Sequence, residues 1–279
     1  IGEEVVRLAN QVTGQDLDAR IGGMKTHFNE VGVDPFGVDL DTVRYALAAG
    51  AIVHRKYFRT EVFGIERVPS GRCLIVANHS GQLPIDGGII SAALAIDRDT
   101  PIFARCLVEK WMAELPFVST FMPRVGQVIG TPENALRLLL NEETLVVFPE
   151  GARGVTKTFK QRYRLTEFGL GFMRLALATN TPIVPVAVLG GEEQYPSIAD
   201  IKPLARMLGM PAFPVIPQVF AGMWAPLPSK YRLHFGAPFH FEGDPDANDA
   251  WIDRKVWFVR ETIQNMVNRG LEQRRGIFV

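Results

Sequence analysis

The sequence predicts an α/β fold: a mixed, largely parallel sheet flanked by helices, with a helical region at its N-terminus. Three observations carry this reading. Residues 1–57 keep a helical period of apolar residues. From residue 59, short runs rich in Val, Ile and Phe alternate with stretches of helical period, the pattern of strands joined by crossover helices. The runs are apolar almost without interruption, as strands covered on both faces must be. The composition agrees: 47% hydrophobic and 22% charged over 279 residues describes a folded chain, not a disordered one.

In chain order, amphipathic helices are expected near 2–12 and 16–31, and Leu40-Asp41 opens a further helix running to residue 57. The runs EVFGI, RCLIVA, TPIFA, TLVVF and TPIVPVAVL, bounded by Gly, Pro or Asn, read as strands. Between them, PIDGGIISAALAI, PENALRLLLN and LTEFGLGFMRLALAT read as helices, with Pro84 and Pro132 at first helical positions. YRLHFGAPFHF is a late strand and 248–275 a long C-terminal helix. Two regions follow: 1–57, packing on the core or on a membrane, and an α/β domain over 58–279.

Cys73 and Cys106 are the two cysteines, both beside apolar runs, and are expected as buried reduced thiols, with no disulfide framework and no metal cluster. The chain opens at Ile1 with no charged-then-apolar signal pattern. Residues 207–229 hold no ionisable side chain, but Pro211, Pro214, Pro217, Pro226 and Pro228 exclude a membrane-spanning helix. The stretch is either a buried irregular connection or an acyl-chain wall or membrane-contact surface.

Lys and Arg number 30 against 30 Asp and Glu, and mean hydropathy is +0.08, which excludes a strongly basic nucleic-acid binder. The neutral total is uneven. Residues 1–43 carry eight acids against three bases, residues 44–72 six bases against two acids, and residues 150–164 five bases against Glu150 alone.

Both basic stretches border candidate chemistry. Asn78-His79-Ser80-Gly81-Gln82-Leu83-Pro84-Ile85-Asp86 follows the strand RCLIVA, at a strand's carboxyl end where α/β folds gather ligands. A carboxylate on one imidazole nitrogen fixes the tautomer and leaves the other to take a proton. Phe148-Pro149-Glu150-Gly151-Ala152-Arg153-Gly154 follows TLVVF. It reads either as a turn with a solvated ion pair or as an anion cradle, with Arg153 offering bidentate donors and Gly151 and Gly154 admitting close backbone approach.

Together these stretches resemble the conserved blocks of the glycerolipid acyltransferases, the lysophosphatidate-acyltransferase-like family. NHSGQLPID corresponds to its His-x4-Asp block and FPEGARG to its FPEG-[ST]-R block. Lys110 through Pro116, with Gly126 beyond, is similar to the second block, and Thr181 through Val186 to the VPV block. The resemblance spans about 70–190 and implies a glycerol-phosphate-acyltransferase-like fold. It also implies direct acyl transfer, in which His79, oriented by Asp86, deprotonates an acceptor hydroxyl that attacks the thioester of acyl-CoA or acyl-carrier protein. No cofactor beyond that donor is implied. Substrate binding is expected from Asn78, Ser80, Gly81, Lys110, Arg124, Glu150, Gly151 and Arg153, and oxyanion contacts from amides near Gly81 or the 151–154 turn. The acceptor is a lysophospholipid or related glycerolipid or alcohol.

Two departures stand out. Six residues separate His79 from Asp86. On a helix that places them on one face but about 10 Å apart, so the loop must curl back, with Gly81 free to turn and Pro84 starting the helix late. Where the family's second block ends in a phosphate-contacting Arg, this sequence has Pro132 nearby; either Arg124 or Arg105 substitutes, or the acceptor carries no phosphate. Two other readings use the same residues, a lipid-binding or membrane-docking protein and an acyl-thioester hydrolase. Lipid substrates imply a cytoplasmic protein peripherally bound to the membrane's inner face. Arg55, Lys56 and Arg59 beside Tyr57 and Phe58 read either as a lipid-facing end of the helix or as an ordinary packed one.

Overall fold

The computed structural model describes residues 2–24, 34–207 and 212–279. Its strands are β1 Glu61–Phe63, β2 Cys73–Ala77, β3 Ala104–Val108, β4 Val128–Ile129, β5 Thr144–Val147, β6 Ile183–Leu189, β7 Ala199–Asp200, β8 Pro214–Val215 and β9 Arg232–Phe235. A seven-stranded sheet runs β1-β9-β6-β2-β5-β3-β4, while β7 and β8 form a separate hairpin. All neighbours in the large sheet pair in parallel except β6 and β9, so the sheet is mixed and largely parallel.

The helices are α1 Gly2–Thr13, α2 Leu17–Gly22, α3 Leu40–Ile52, α4 Ile85–Ile96, α5 Val118–Arg124, α6 Pro132–Leu140, α7 Ala152–Val155, α8 Gly171–Thr179, α9 Gly191–Gln194, α10 Lys202–Met207, α11 Pro217–Phe220 and α12 Asp249–Gln273. Strand periodicity sorts them into layers. Leu74 and Val76 of β2 join Leu138 of α6, Met173 of α8 and Val256 of α12 on one face. Cys73, Ile75 and Ala77 join Ile90 and Leu94 of α4 on the other. Each fully buried Leu, Ile or Val contributes about 1.5–3 kcal/mol. Val6, Leu17 and Ala48 of the N-terminal helices pack on Ala92, Ala95 and Ile96 of α4, so this region shares its core with the α/β layer.

Several boundaries differ from the sequence reading. The helix expected over 16–31 is α2, capped by Asp16 and ended at the Gly22-Gly23 pair; residues 25–33 lie outside the described residues. The strand expected at TPIFA begins later, at Ala104, because Pro101 lacks an N–H and Ile102 donates to Leu94 in α4. The helix read through LTEFGLGFMRLALAT forms only from Gly171, and the one read to residue 57 passes into a wider π turn at Val53–Tyr57. β4 and the β7–β8 hairpin, two residues per strand, are too short to show a period. Cys73 and Cys106 are buried free thiols, pushed by burial up to about 11 and about 12.

Two buried ion clusters anchor the sheet's surroundings. Arg105 of β3 is fully buried; its Nε donates to Glu143 at 2.6 Å and its terminal nitrogens to Asp34, with the Phe103 ring 5.1 Å away. It is therefore closed to any acceptor phosphate, correcting one of the sequence alternatives. Lys157 lies between Glu150 at 3.4 Å and Glu192 at 3.0 Å. Burial pushes the Glu192 carboxyl up to about 7, against the opposing pull of the Lys157 ammonium.

Arg105→Ala strands two buried carboxylates, and a stability loss of about 3–5 kcal/mol is expected by urea denaturation; a loss within experimental scatter counts against the cluster. Between Glu192's ordinary value of 4.5 and about 7, the folded protein retains a proton that the unfolded chain has released. Its contribution to stability therefore falls as pH rises through that window. Glu192→Gln removes this loss, so its stability relative to the parent is expected to grow from pH 5 to pH 8 by on the order of 2–3 kcal/mol, read from denaturation curves at each pH.

Candidate active site

The parallel pairing of β2 with β5, register Val76 opposite Val147, sets the two motif loops side by side at the sheet's carboxyl edge. After β2, Asn78 extends the strand with its side chain: its amide donates to Val188 and accepts from the Val188 N–H. It is fully buried, so its place is in the scaffold rather than against substrate.

The loop then curls as the spacing required. Gly81 adopts φ +80°, and a Cβ there would collide with Gln194 and the Gly191 carbonyl. α4 starts only after Pro84. Asp86 thereby reaches His79, with Oδ2 2.7 Å from Nδ1. The same oxygen accepts the Ser80 N–H at 2.9 Å and Oδ1 accepts the Gly87 N–H at 2.9 Å. Asp86 is fully buried in the first turn of α4, where the helix dipole favours negative charge. This carboxylate holds the neutral imidazole's proton on Nδ1. Nε2 has no hydrogen-bond partner among the described residues, and the ring lines a large cavity.

The second motif clamps the first. Phe148 stacks on the His79 ring, 4.3 Å between centroids and 22° between planes. Glu150 accepts the His79 backbone N–H at 3.0 Å through Oε1, and through Oε2 accepts the Thr166 N–H at 2.8 Å, the Thr166 hydroxyl at 3.0 Å and Lys157. Gly154 packs against His79, where a Cβ would stand 2.6 Å from that of His79.

This geometry corrects several expectations. Glu150 is 1% exposed with both oxygens engaged, so it holds the loop rather than the acceptor. Arg153 is exposed and bonds to the side chain and carbonyl of Glu167. The Gly151 and Gly154 amides already donate to Phe148 and Gly151, which removes them as oxyanion donors; Gly151 does line the cavity. Ser80 is buried, and neither it nor Gly81 lines that cavity. Arg124, exposed at the end of α5, lies outside the lining as well. Lys110 is on the wall. Lys157, Thr166 and Gln194, whose amide donates to Leu83, support the loops from elsewhere in the chain, and no local motif marks them.

The cavity measures about 1570 Å³ and is walled by α3, α4, α5, α6 and α8. Small residues make the space: Ala46 and Gly50 on α3, Gly88, Ala92 and Ala95 on α4. Among the described residues its lining holds two basic side chains, Lys110 and Arg174, against Glu109, Glu114, Glu133 and Asp246. Arg174 is engaged by Asp249 at 2.6 Å and by the Pro245 carbonyl.

A family model described as Acyltransferase matches residues 59–189, from just before β1 to the end of β6 and including both motif loops. The Mycobacterium leprae (strain TN) protein ML2427 is 41% identical, the match covering 97% of this chain and 72% of that one. The mouse DGAT1/2-independent enzyme synthesizing storage lipids is 23% identical over 75% of this chain and 60% of its own. The crystal structure of the Thermotoga maritima 1-acyl-sn-glycerophosphate (LPA) acyltransferase PlsC superposes with a TM-score of 0.56, covering 99% of this chain and 100% of that one at 16% identity, a likeness of fold. With the His79 and FPEG loops inside the matched segment, the chain belongs to the acyltransferase family that this model describes.

Proposed function

We propose that this protein transfers a fatty acyl group from acyl-CoA or acyl-carrier protein to the hydroxyl of an uncharged lipid alcohol, with His79 as general base. The observation that carries the reading is the His79–Asp86 pair, whose Nε2 is left free on the wall of an apolar cavity. Nε2 takes the acceptor's hydroxyl proton as its oxygen attacks the thioester carbonyl. The tetrahedral intermediate collapses, the C–S bond breaks, and the imidazolium returns its proton to the departing thiolate. Asp86 keeps the ring oriented and stabilises the imidazolium.

Three observations support an uncharged acceptor. Pro132 stands at the first position of α6, near where the family's second block ends in arginine. Arg105, Arg153 and Arg174 are each bonded to protein carboxylates. The lining's remaining basic side chain, Lys110, shares the cavity wall with four acids, Glu109, Glu114, Glu133 and Asp246. A dianionic phosphate entering such a site loses hydration without gaining partners. The name of the mouse relative, an enzyme synthesizing storage lipids, suits the same acceptor class. Donor and acceptor both imply an enzyme working at the cytoplasmic face of a membrane; among the described residues no helix is long and apolar enough to cross one.

Thiol release with a panel of acceptors, and mass spectrometry of the lipid product, test the reading. Mono- and diacylglycerol-class alcohols are expected to exceed lysophosphatidate in kcat/KM by about tenfold or more, the equivalent of ~1.4 kcal/mol. A preference for lysophosphatidate overturns the acceptor class, and free fatty acid without an acylated product replaces transferase with hydrolase. His79→Ala is expected to lower turnover by roughly 10²–10⁴-fold with an unchanged circular dichroism spectrum; full activity removes His79 from the mechanism. Pro132→Arg adds a cation at the wall and is expected to raise kcat/KM for phosphate-bearing acceptors a few-fold, about 1 kcal/mol for a partly exposed pair.

A further inference from the structure

The excursions that follow β3 and β6 both leave the sheet at the carboxyl edge that holds His79, since these strands run parallel to β2 and β5. The excursion after β6 carries side chains that a water-facing surface does not favour. Trp224 is 75% exposed, Phe220 73%, Met207 75% and Ile198 65%, with Ile201 and Met223 also exposed. All six belong to this one excursion rather than being scattered along the chain. Hydrogen bonds hold the backbone beneath it. Ile198 donates to Val215 and Ile201 to Phe213, while the Tyr195 hydroxyl donates to the Trp224 carbonyl and the Leu227 N–H to Gln194. The apolar tips thus stand on a built platform.

The patch has a rim of one sign. The Phe159 N–H donates to the Ser197 carbonyl at 2.7 Å, tying the turn at 158–164 to the platform. Lys160, Arg162 and Arg164 on that turn, with Lys202 and Arg206 on α10, are all exposed, and none pairs with a carboxylate among the described residues. Over 156–165 and 198–229 the one acid is Asp200, whose carboxylate accepts the Phe213 N–H. An apolar surface carrying Trp and Phe inside a basic rim matches the interface of an anionic bilayer, where rings enter the headgroup boundary and cations meet lipid charge.

In the other stretch suited to this role by composition, Arg55 to Arg59, Lys56 is exposed but its neighbours are used internally. Arg55 pairs with Asp97, Phe58 is 1% exposed against Tyr231, and Arg59 donates to the carbonyls of Tyr57, Pro228 and Phe278. We infer that the platform of residues 198–207 and 212–224, with Lys160, Arg162, Arg164, Lys202 and Arg206 as its rim, docks the protein on an anionic lipid surface beside the edge that carries His79. The inference rests on reading the substrates as membrane lipids and names the surface through which they are reached.

Sedimentation with vesicles of phosphatidylcholine, alone or mixed with phosphatidylglycerol, tests it. The protein is expected to bind the mixed vesicles and to lose that preference at high salt. Phe220→Ser/Met223→Ser/Trp224→Ser should weaken binding at least tenfold, since it removes three apolar anchors. Lys160→Glu/Arg162→Glu/Lys202→Glu/Arg206→Glu should do the same at low salt. Both variants should retain the parent's rate with a short-chain acyl-CoA and a water-soluble alcohol, which shows that they fold. Undiminished vesicle binding by both variants overturns the proposal. So does a dimer that the apolar variant converts to monomer while vesicle binding persists. Absence of acyl transfer with vesicle binding intact is instead a failure of the proposed activity, leaving the docking surface standing.

Discussion

The structure turns on the placement of a buried carboxylate, Glu150, under the backbone of His79. β2 and β5 are parallel neighbours in register, so the loops that leave them emerge together at one edge. Burying a carboxylate is costly unless its lone pairs are filled, and Glu150 fills them with the His79 amide, the Thr166 amide and hydroxyl, and Lys157. Those bonds fix where the His79 backbone stands. Phe148 then fixes the ring from its face and Asp86 from its Nδ1 edge, leaving one nitrogen and one direction. A one-residue slip of β5 would exchange the faces that Leu145 and Val146 present and carry Phe148 and Glu150 away from His79 together.

This explains why the second motif misleads in sequence while the His79–Asp86 pair of the first does not. His79 and Asp86 are close in the chain, and a loop that must curl leaves its mark in Gly81 and Pro84, so their meeting was legible. In FPEGARG the residue types do mark charged groups on a strand-end turn, but the direction of each side chain depends on what lies behind the turn. Thr166 and Lys157 lie there, and no local motif marks either of them. Asn78 misleads for a related reason: an amide is equally suited to substrate and to a strand's unpaired backbone, and only the position of Val188 decides. The sheet and its long helices, by contrast, depend on apolar periodicity summed over many residues, and single misplacements at Ala104 or Gly171 leave the topology intact.

The cavity follows from small residues facing each other across two helices. Ala46 and Gly50 of α3 and Gly88, Ala92 and Ala95 of α4 line it, while the other side of α4 presents Ile90 and Leu94 to the sheet. One helix therefore packs tightly on its bulky face and leaves room on its small one. Gly87 adds to this beside the dyad, where a Cβ would come within 3.4 Å of the Cys106 sulfur. The lining is mostly apolar, with Glu109, Lys110, Glu114, Glu133, Arg174 and Asp246 as its charged residues, and an uncharged group is the easier one to desolvate there.

The neutral total charge is divided between paired and unpaired groups. Several acids of the N-terminal region have partners in the same chain: Glu3 and Asp18 grip Arg44, Asp34 pairs with buried Arg105, and Asp39 caps α3. In the first basic stretch, Arg55 and Arg72 are likewise paired, with Asp97 and Glu142. What remains without carboxylate partners among the described residues includes Lys160, Arg162, Arg164, Lys202 and Arg206, gathered around the apolar platform. A net charge near zero would give such a molecule no long-range attraction to an anionic surface if its charges were evenly spread. Pairing N-terminal acids with bases of the same chain lets a nearly neutral protein leave these five bases exposed and without carboxylate partners among the described residues.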